Sequence, residues 1–209
     1  VQFHPDRLAQ PLRWKKPRRI FVCSMGDLFH EDLPLFDETE KVFEIISACY
    51  KHTFMVLTKR PRRMRAAVEH CLWDGLPYLL NLWLGVTAEN QEMADQRIPI
   101  LLQTPAAVRF VSVEPMLGPV DLKPFFEWTD MDGERVKRVP HWVICGGETG
   151  PGARFMRPEW VKSLRDQCKS AGVPFFFKGW GTSKIKKSTP NYMKIDGKEH
   201  KGFPEVNGD

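Results

Sequence analysis

The sequence predicts a parallel α/β fold, a partial (β/α) TIM-like barrel of about six βα units. Short apolar runs recur roughly every thirty residues, the length of one strand–helix unit. Each run passes at once into polar or glycine residues, and α/β folds bind ligands at such strand ends. The 209 residues suit one domain with a full core. A doubly wound α/β domain also has polar loops. The barrel is favoured because every strand end carries groups capable of chemistry. The reading is a single barrel-like domain over 1–209, with a basic arm over 1–19 and a tail over 182–209.

In chain order, the arm holds Arg7, Arg13, Lys15, Lys16, Arg18 and Arg19 around Trp14. It reads as extended, either gripping nucleic acid or leading, solvated, into the first strand. Ile20–Cys23 is a strand running into Ser24-Met25-Gly26-Asp27. Asp37 with Glu40 resembles a capping box, and Val42, Phe43, Ile46, Cys49 and Tyr50 then form an apolar helical face. Thr53–Leu57 is a strand delivering Thr58, Lys59 and Arg60 to its loop. These cations either hold an anion or are solvated. Pro61 suits a first helical turn, with Met64, Val68 and Cys71 facing inward.

Leu82–Val86 runs into Thr87-Ala88-Glu89-Asn90, where Asn90 is a good N-cap for a helix broken at Pro99. Val108–Val111 runs into Ser112-Val113-Glu114-Pro115. The proline holds Glu114 extended, and its carboxylate either meets a ligand or pairs with a nearby Lys or Arg. Thr129–Val139 reads as an inserted polar segment with a hairpin tip at Asp132-Gly133. Trp142–Cys145 is a buried strand that turns into Gly146-Gly147-Glu148-Thr149-Gly150-Pro151-Gly152-Ala153-Arg154. Glycines in that density let a backbone approach a ligand or take turns that other residues resist. A helix from Pro158 buries Val161, Leu164 and Cys168 and closes at Gly172. Val173–Phe177 runs into Lys178-Gly179-Trp180-Gly181. The tail, basic at Lys184, Lys186 and Lys187, reads as loop with a turn at Asp196-Gly197.

A net charge of +5 is compatible with an anionic substrate without demanding one. No apolar run is long enough to cross a bilayer, and no signal peptide is visible. The five cysteines have no CxxC spacing, so they read as reduced thiols of a cytoplasmic protein and form no metal site by spacing. Asp27 and His30 make two metal-type donors or a capping pair. A first residue of Val1 instead of methionine predicts a cut or processed chain.

Several strings together resemble a known family. They are Ser24-Met25-Gly26-Asp27-Leu28-Phe29-His30, Leu57-Thr58-Lys59-Arg60-Pro61, Trp83 to Asn90, Ser112 to Pro119, Gly146 to Arg154, and Phe175-Phe176-Phe177-Lys178 with Trp180-Gly181. They cover nearly the whole chain. The family is an uncharacterised one of phages and bacteria, of the phage Gp37/Gp68 type, and its members resemble radical SAM barrel proteins. The resemblance implies a four-iron–four-sulfur cluster on a three-cysteine loop and S-adenosylmethionine bound at its open iron. That cysteine segment would precede Val1, since no cysteine here has the spacing. It further implies cofactor contacts from Asp27, Thr87, Glu89, Asn90, Ser112, Glu114, Gly146, Gly147, Glu148, Arg154 and Lys178. A glycine-glycine-glutamate element binds the cofactor's amino group in radical SAM enzymes, and Gly146-Gly147-Glu148 has those letters late in the chain.

From the residues alone, Asp27, Lys59, Arg60, Glu89, Glu114, Glu148 and Lys178 converge on one barrel face. Carboxylates there take a ligand amine or ribose hydroxyls, and cations take a carboxylate or phosphate. Glu114, Glu148 and Lys59 are the candidate catalytic groups. The leading function is a radical-SAM-like enzyme, or its barrel remnant, on an unknown small-molecule or nucleic-acid substrate. A phage-associated nucleic-acid-binding protein and a cofactor-free barrel enzyme using acid–base chemistry are the alternatives.

Overall fold

The structure is a computed structural model that describes residues 2–126, 139–183 and 187–205. The expected hairpin tip at Asp132-Gly133 and the basic positions Lys184 and Lys186 lie outside the described residues. Strands β1 (Arg19–Val22), β2 (Thr53–Thr58), β3 (Leu82–Thr87), β4 (Val108–Val113), β5 (Trp142–Gly146) and β6 (Phe175–Gly179) alternate with helices α2 (Leu35–Ala48), α3 (Pro61–Trp73), α4 (Gln91–Gln103) and α5 (Pro158–Ala171). Strand order follows chain order, β1-β2-β3-β4-β5-β6. Pairing is parallel through β1–β2–β3 and through β4–β5–β6. An order without reversal belongs to βα units wound in one direction, as in a partial (β/α) barrel. A doubly wound sheet reverses order at its switch point. By contact the chain divides into two compact units, Val1–Val86 with Ile100–Arg109, and Thr87–Pro99 with Phe110–Asp209.

The first unit holds β1, β2 and most of β3. On β2, Phe54, Val56 and Thr58 are buried while their neighbours are half-buried, the two-residue period of a strand with one face in the core. Helix α2 buries Val42, Phe43 and Ile46, and α3 buries Met64, Val68 and Cys71. Tyr50 departs from the expected apolar face: it lies past the end of α2 and is exposed. The capping box is absent too. Helix α2 starts at Leu35 behind Pro34, so Asp37 lies inside its first turn. The arm is folded and not extended. Pro5 and Pro11 each open a turn, the short α1 (Pro5–Leu8) and a 3₁₀ turn over Pro11–Arg13. His52 Nε2 donates to the Pro11 carbonyl at 3.2 Å, and the Arg18 guanidinium lies 4.6 Å from the Trp14 ring centre.

In the second unit α5 buries Val161, Leu164 and Cys168, and left-handed Gly172 (φ 67°) caps it, as expected. Helix α4 runs through Pro99 to Gln103 instead of breaking there. Ile98, Leu101 and Leu102 beside the proline are at most 1% exposed, and their burial outweighs the missing N–H. The tail is more ordered than a loop. Lys194–Ile195 (β7) and Lys198–Glu199 (β8) form a hairpin about the turn at Asp196-Gly197. The chain then lies along β6: Phe177 N–H donates to the His200 carbonyl at 2.8 Å and Gly202 N–H to the Phe175 carbonyl at 2.9 Å. Trp142 Nε1 donates to the Gly202 carbonyl at 2.8 Å, and the Phe203 ring lies 4.4 Å from the Trp142 ring.

Candidate functional site

In the second unit, three parallel strand ends bring predicted residues together. Glu114 follows β4, Gly146 ends β5, and Lys178 lies in β6. The β5–β6 register pairs Cys145 with Phe177 but Gly146 with Gly179, so Lys178 is an extra residue on β6. A bulge of this kind re-aims a side chain. Lys178 Nζ donates to Glu114 Oε2 at 2.8 Å. Gly146 lies beneath the pair: a Cβ there would stand 2.9 Å from Glu114 Oε1 and 3.3 Å from Lys178 Cβ. The Glu114 side chain is 29% exposed and that of Lys178 52%, so the pair faces solvent.

Glu148 and Arg154 close the following loop on itself. The Arg154 backbone N–H and Nε each donate to Glu148 Oε2 at 2.8 Å, and Nη2 donates to Oε1 at 2.7 Å. These bonds hold the Glu148 carboxyl at a pKa of about 2, well below its usual range. Thr182 hooks the same loop, its N–H donating to the Glu148 carbonyl and its hydroxyl accepting from Gly150 N–H, each at 2.9 Å. The sequence reading gave Gly147 to ligand approach, but its space is filled by protein. A Cβ at 147 would collide with the Trp180 carbonyl, so the glycine lets the loops after β5 and β6 pack backbone to backbone.

Over residues 1–204 the chain matches a family described as "Protein of unknown function (DUF5131)". The chain belongs to this family. No curated protein matches it. An uncharacterised family is expected from the sequence strings and an uncharacterised family is observed. Its description names no activity, phage origin or likeness to radical SAM proteins, so the roles of residues in this chain rest on their geometry.

Glu89, Thr87 and Asn90 have protein partners. Arg97 Nη1 donates to the Thr87 carbonyl at 3.0 Å, the Thr87 hydroxyl at 2.8 Å and Glu89 Oε2 at 2.9 Å. The Glu89 and Arg97 side chains are only 9% and 14% exposed, a buried ion pair. Asn90 Oδ1 accepts from Met93 N–H at 3.0 Å, the expected N-cap of α4. Ser112 is buried, and its carbonyl accepts from Ala88 N–H at 2.8 Å.

Asp27 and Lys59 follow β1 and β2 of the first unit. The Asp27 carboxylate accepts from the Thr58 hydroxyl at 2.7 Å, Phe29 N–H at 3.0 Å, Lys59 N–H at 3.1 Å and Arg60 Nη1 at 3.0 Å. Four donors on one carboxylate make it a loop organiser. His30 Nδ1 accepts from Asp32 N–H at 3.2 Å. Among the described residues no three His, Cys, Asp or Glu stand together as a metal site. None of the described helices is long and apolar enough to cross a membrane.

Sequence reasoning missed Arg97, the cation that takes Glu89, although it lies seven residues after the N-cap Asn90, two helical turns on and on the same face. It missed Thr182 as well. Nothing in a strand pattern marks a hydroxyl 32 residues away as the hook of a glycine loop.

Proposed function

We propose that this chain is the barrel portion of a radical-SAM-like enzyme, and that the ends of β4, β5 and β6 bind S-adenosylmethionine or the substrate. The supporting observation is the paired, solvent-facing charge of Glu114 with Lys178 above the Gly146 backbone. A ligand carrying both an amine and a carboxylate can exchange with such a pair at little cost, because an exposed ion pair is worth only about 0–1 kcal/mol. Glu114 then takes the amine and Lys178 the carboxylate, while Glu148 and Arg154 hold the neighbouring loop in shape. The donors present fit S-adenosylmethionine, which supplies a sulfonium with a cleavable carbon–sulfur bond.

The iron–sulfur cluster does not fit these residues. Cys49, Cys71, Cys145 and Cys168 are buried. Burial pushes the Cys71 thiol up to about 11 and the Cys168 thiol up to about 12, whereas a cluster needs thiolates. No step is routed through a cluster here.

Calorimetric titration of S-adenosylhomocysteine, which needs no cluster, tests the site. Saturable one-to-one binding that Glu114→Gln and Lys178→Met each weaken about tenfold is the expected result. Absence of saturable binding, or equal binding by both variants, removes the proposal. Nucleic-acid binding has narrower support. The arm cations Arg13, Lys15, Lys16 and Arg18 are exposed, but the Trp14 face is occupied by Arg18.

A further inference from the structure

The C-terminal segment lies along β6 as a strap and grips it on both sides of Lys178. Before Lys178, the Phe177 N–H donates to the His200 carbonyl at 2.8 Å. Beyond it, Trp180 N–H donates to the Tyr192 carbonyl at 3.1 Å, and Trp180 Nε1 to the Lys194 carbonyl at 2.8 Å. Between these bonds Gly179 takes a φ of 145°, which favours glycine, and a Cβ there would collide with the Tyr192 ring. The bulge that aims Lys178 at Glu114 is thus backed by strap residues.

His200 is the strap residue whose charge can change near neutral pH. Its ring stands edge-on to that of Phe175, centroids 6.1 Å apart. Its Nε2 is buried with no hydrogen-bond partner among the described residues, so a proton added there meets no acceptor. Strand β6 offers it no charge from Phe175 to Phe177. Helix α5 brings Arg165, with Lys162 and Asp166 beside it, and the hairpin brings Asp196, Lys198 and Glu199. Each of these acids is already engaged: Asp196 by Lys162 at 2.7 Å and Arg165 at 3.1 Å, Asp166 by Arg165 at 2.8 Å, and Glu199 by Lys201 at 2.6 Å. Burial holds the His200 ring below its ordinary 6.5, and the Arg165 and Lys198 charges add to this, against the Asp196 charge and the Ile195 backbone.

We propose that the strap is a pH-sensitive latch on the Glu114–Lys178 site: protonation of His200 loosens residues 192–203 from β6 and releases Lys178 from Glu114. That a ligand binds this pair rests on the function proposed above, whereas the latch rests on the strap alone. The closed latch holds the ring neutral, and a released ring takes its proton at about 6.5. The latch is therefore fully closed above about 6.5 and loosens as pH falls below it, by at most about tenfold per pH unit. Lys162 and Lys201 hold the Asp196 and Glu199 carboxyls below their ordinary range, so both acids keep their charge in that window and do not imitate His200.

Nuclear magnetic resonance on the ligand-free protein tests this at about pH 7.5 and about pH 5.5, on either side of the histidine range. Exchange protection, corrected for the intrinsic rate, is read at the Phe177, Trp180 and Gly202 amides, which bridge strap and strand. The Val143 amide, bonded to the Pro174 carbonyl, is the reference. The Glu114 carboxyl carbon is followed in parallel and assigned by its loss in Glu114→Gln. Protection of the three amides should fall about tenfold relative to Val143 at the lower pH, and the Glu114 resonance should move toward its position in Lys178→Met. His200→Asn and His200→Phe cannot take the proton and should hold both signals constant. Circular dichroism and thermal unfolding at the higher pH, matched to the parent, show that these variants are folded. No change in the parent, or the same change in both variants, would overturn the latch. Amides that open while the Glu114 resonance stays in place would overturn it as well. If both signals follow His200 but S-adenosylhomocysteine binds at neither pH, the latch is upheld and the ligand assigned to the site is wrong.

Discussion

Glu114 and Glu89 are both carboxylates that follow apolar strands, yet their surroundings divide them. Lys178 meets Glu114 in solvent, whereas Arg97 meets Glu89 with both side chains nearly buried. Glu114→Gln should therefore change stability by less than about 1 kcal/mol in urea unfolding. Glu89→Leu leaves the Arg97 guanidinium buried without its carboxylate and should cost about 3–5 kcal/mol. Equal losses for the two variants would erase the distinction. Glu148 adds a pH dependence. Its pKa is lowered from 4.5 to about 2 by the bonds from Arg154, so its contribution to loop order is complete above pH 4.5. It is lost as pH falls through about 2. Proton exchange at the Arg154 amide should report that loss between those limits, and Arg154→Met should move the carboxyl titration back toward 4.5. These carboxylates were legible in the sequence because a charge directly after an apolar run is conspicuous. Which cation each of them takes was not. Lys178 lies 64 residues from Glu114, and only the bulge aims it there.

At the scale of elements, short apolar runs between turn signals located all six strands, and β2 to β6 bury residues of those runs while β1 is only half-buried at Ile20 and Val22. What failed were local rules opposed by burial or by neighbours. Pro99 did not end α4 because the buried leucines beyond it gain more than the lost hydrogen bond costs. The glycine-rich loop suggested ligand approach, while Gly147 serves contact with Trp180. The tail read as loop because a segment lying along an edge strand needs no periodicity of its own. Its hydrogen bonds to the rest of the chain include Phe177 to His200, Gly202 to Phe175, Trp142 to Gly202 and Trp180 to Lys194. At about 0.5–1.5 kcal/mol each, truncation before Met193 should cost about 2–6 kcal/mol, before counting the Phe203 ring against Trp142 and the ion pairs of Asp196 with Lys162 and Arg165. It should also expose β6 and raise aggregation in light scattering. A truncated protein as stable and monodisperse as the parent would show that the segment is not a structural cover.

For the whole molecule, the five cysteines carry the last test. A cluster protein must present three thiolates close together on an accessible loop. Here four thiols belong to the interior: Cys71 faces in from α3, Cys168 from α5, Cys145 lies on β5, and Cys49 follows α2. Cys145 is wholly buried with its Sγ 3.7 Å from the sulfur of Met116, and desolvation raises its pKa, with the Glu114 charge adding to the effect. Each unit by which a thiol pKa is raised costs about 1.4 kcal/mol on deprotonation, so making the buried set into ligands requires unfolding the core that holds them. Cys23, in the loop after β1, is exposed. An aromatic disulfide reagent should then modify about one thiol per native chain, with the remaining four reacting only in guanidinium. Anaerobic reconstitution with iron and sulfide should leave well under one iron per chain. Several thiols reacting quickly in the native state, or about four irons bound per chain, would mean that these cysteines leave the core under native conditions, and the packing account of all four would be wrong.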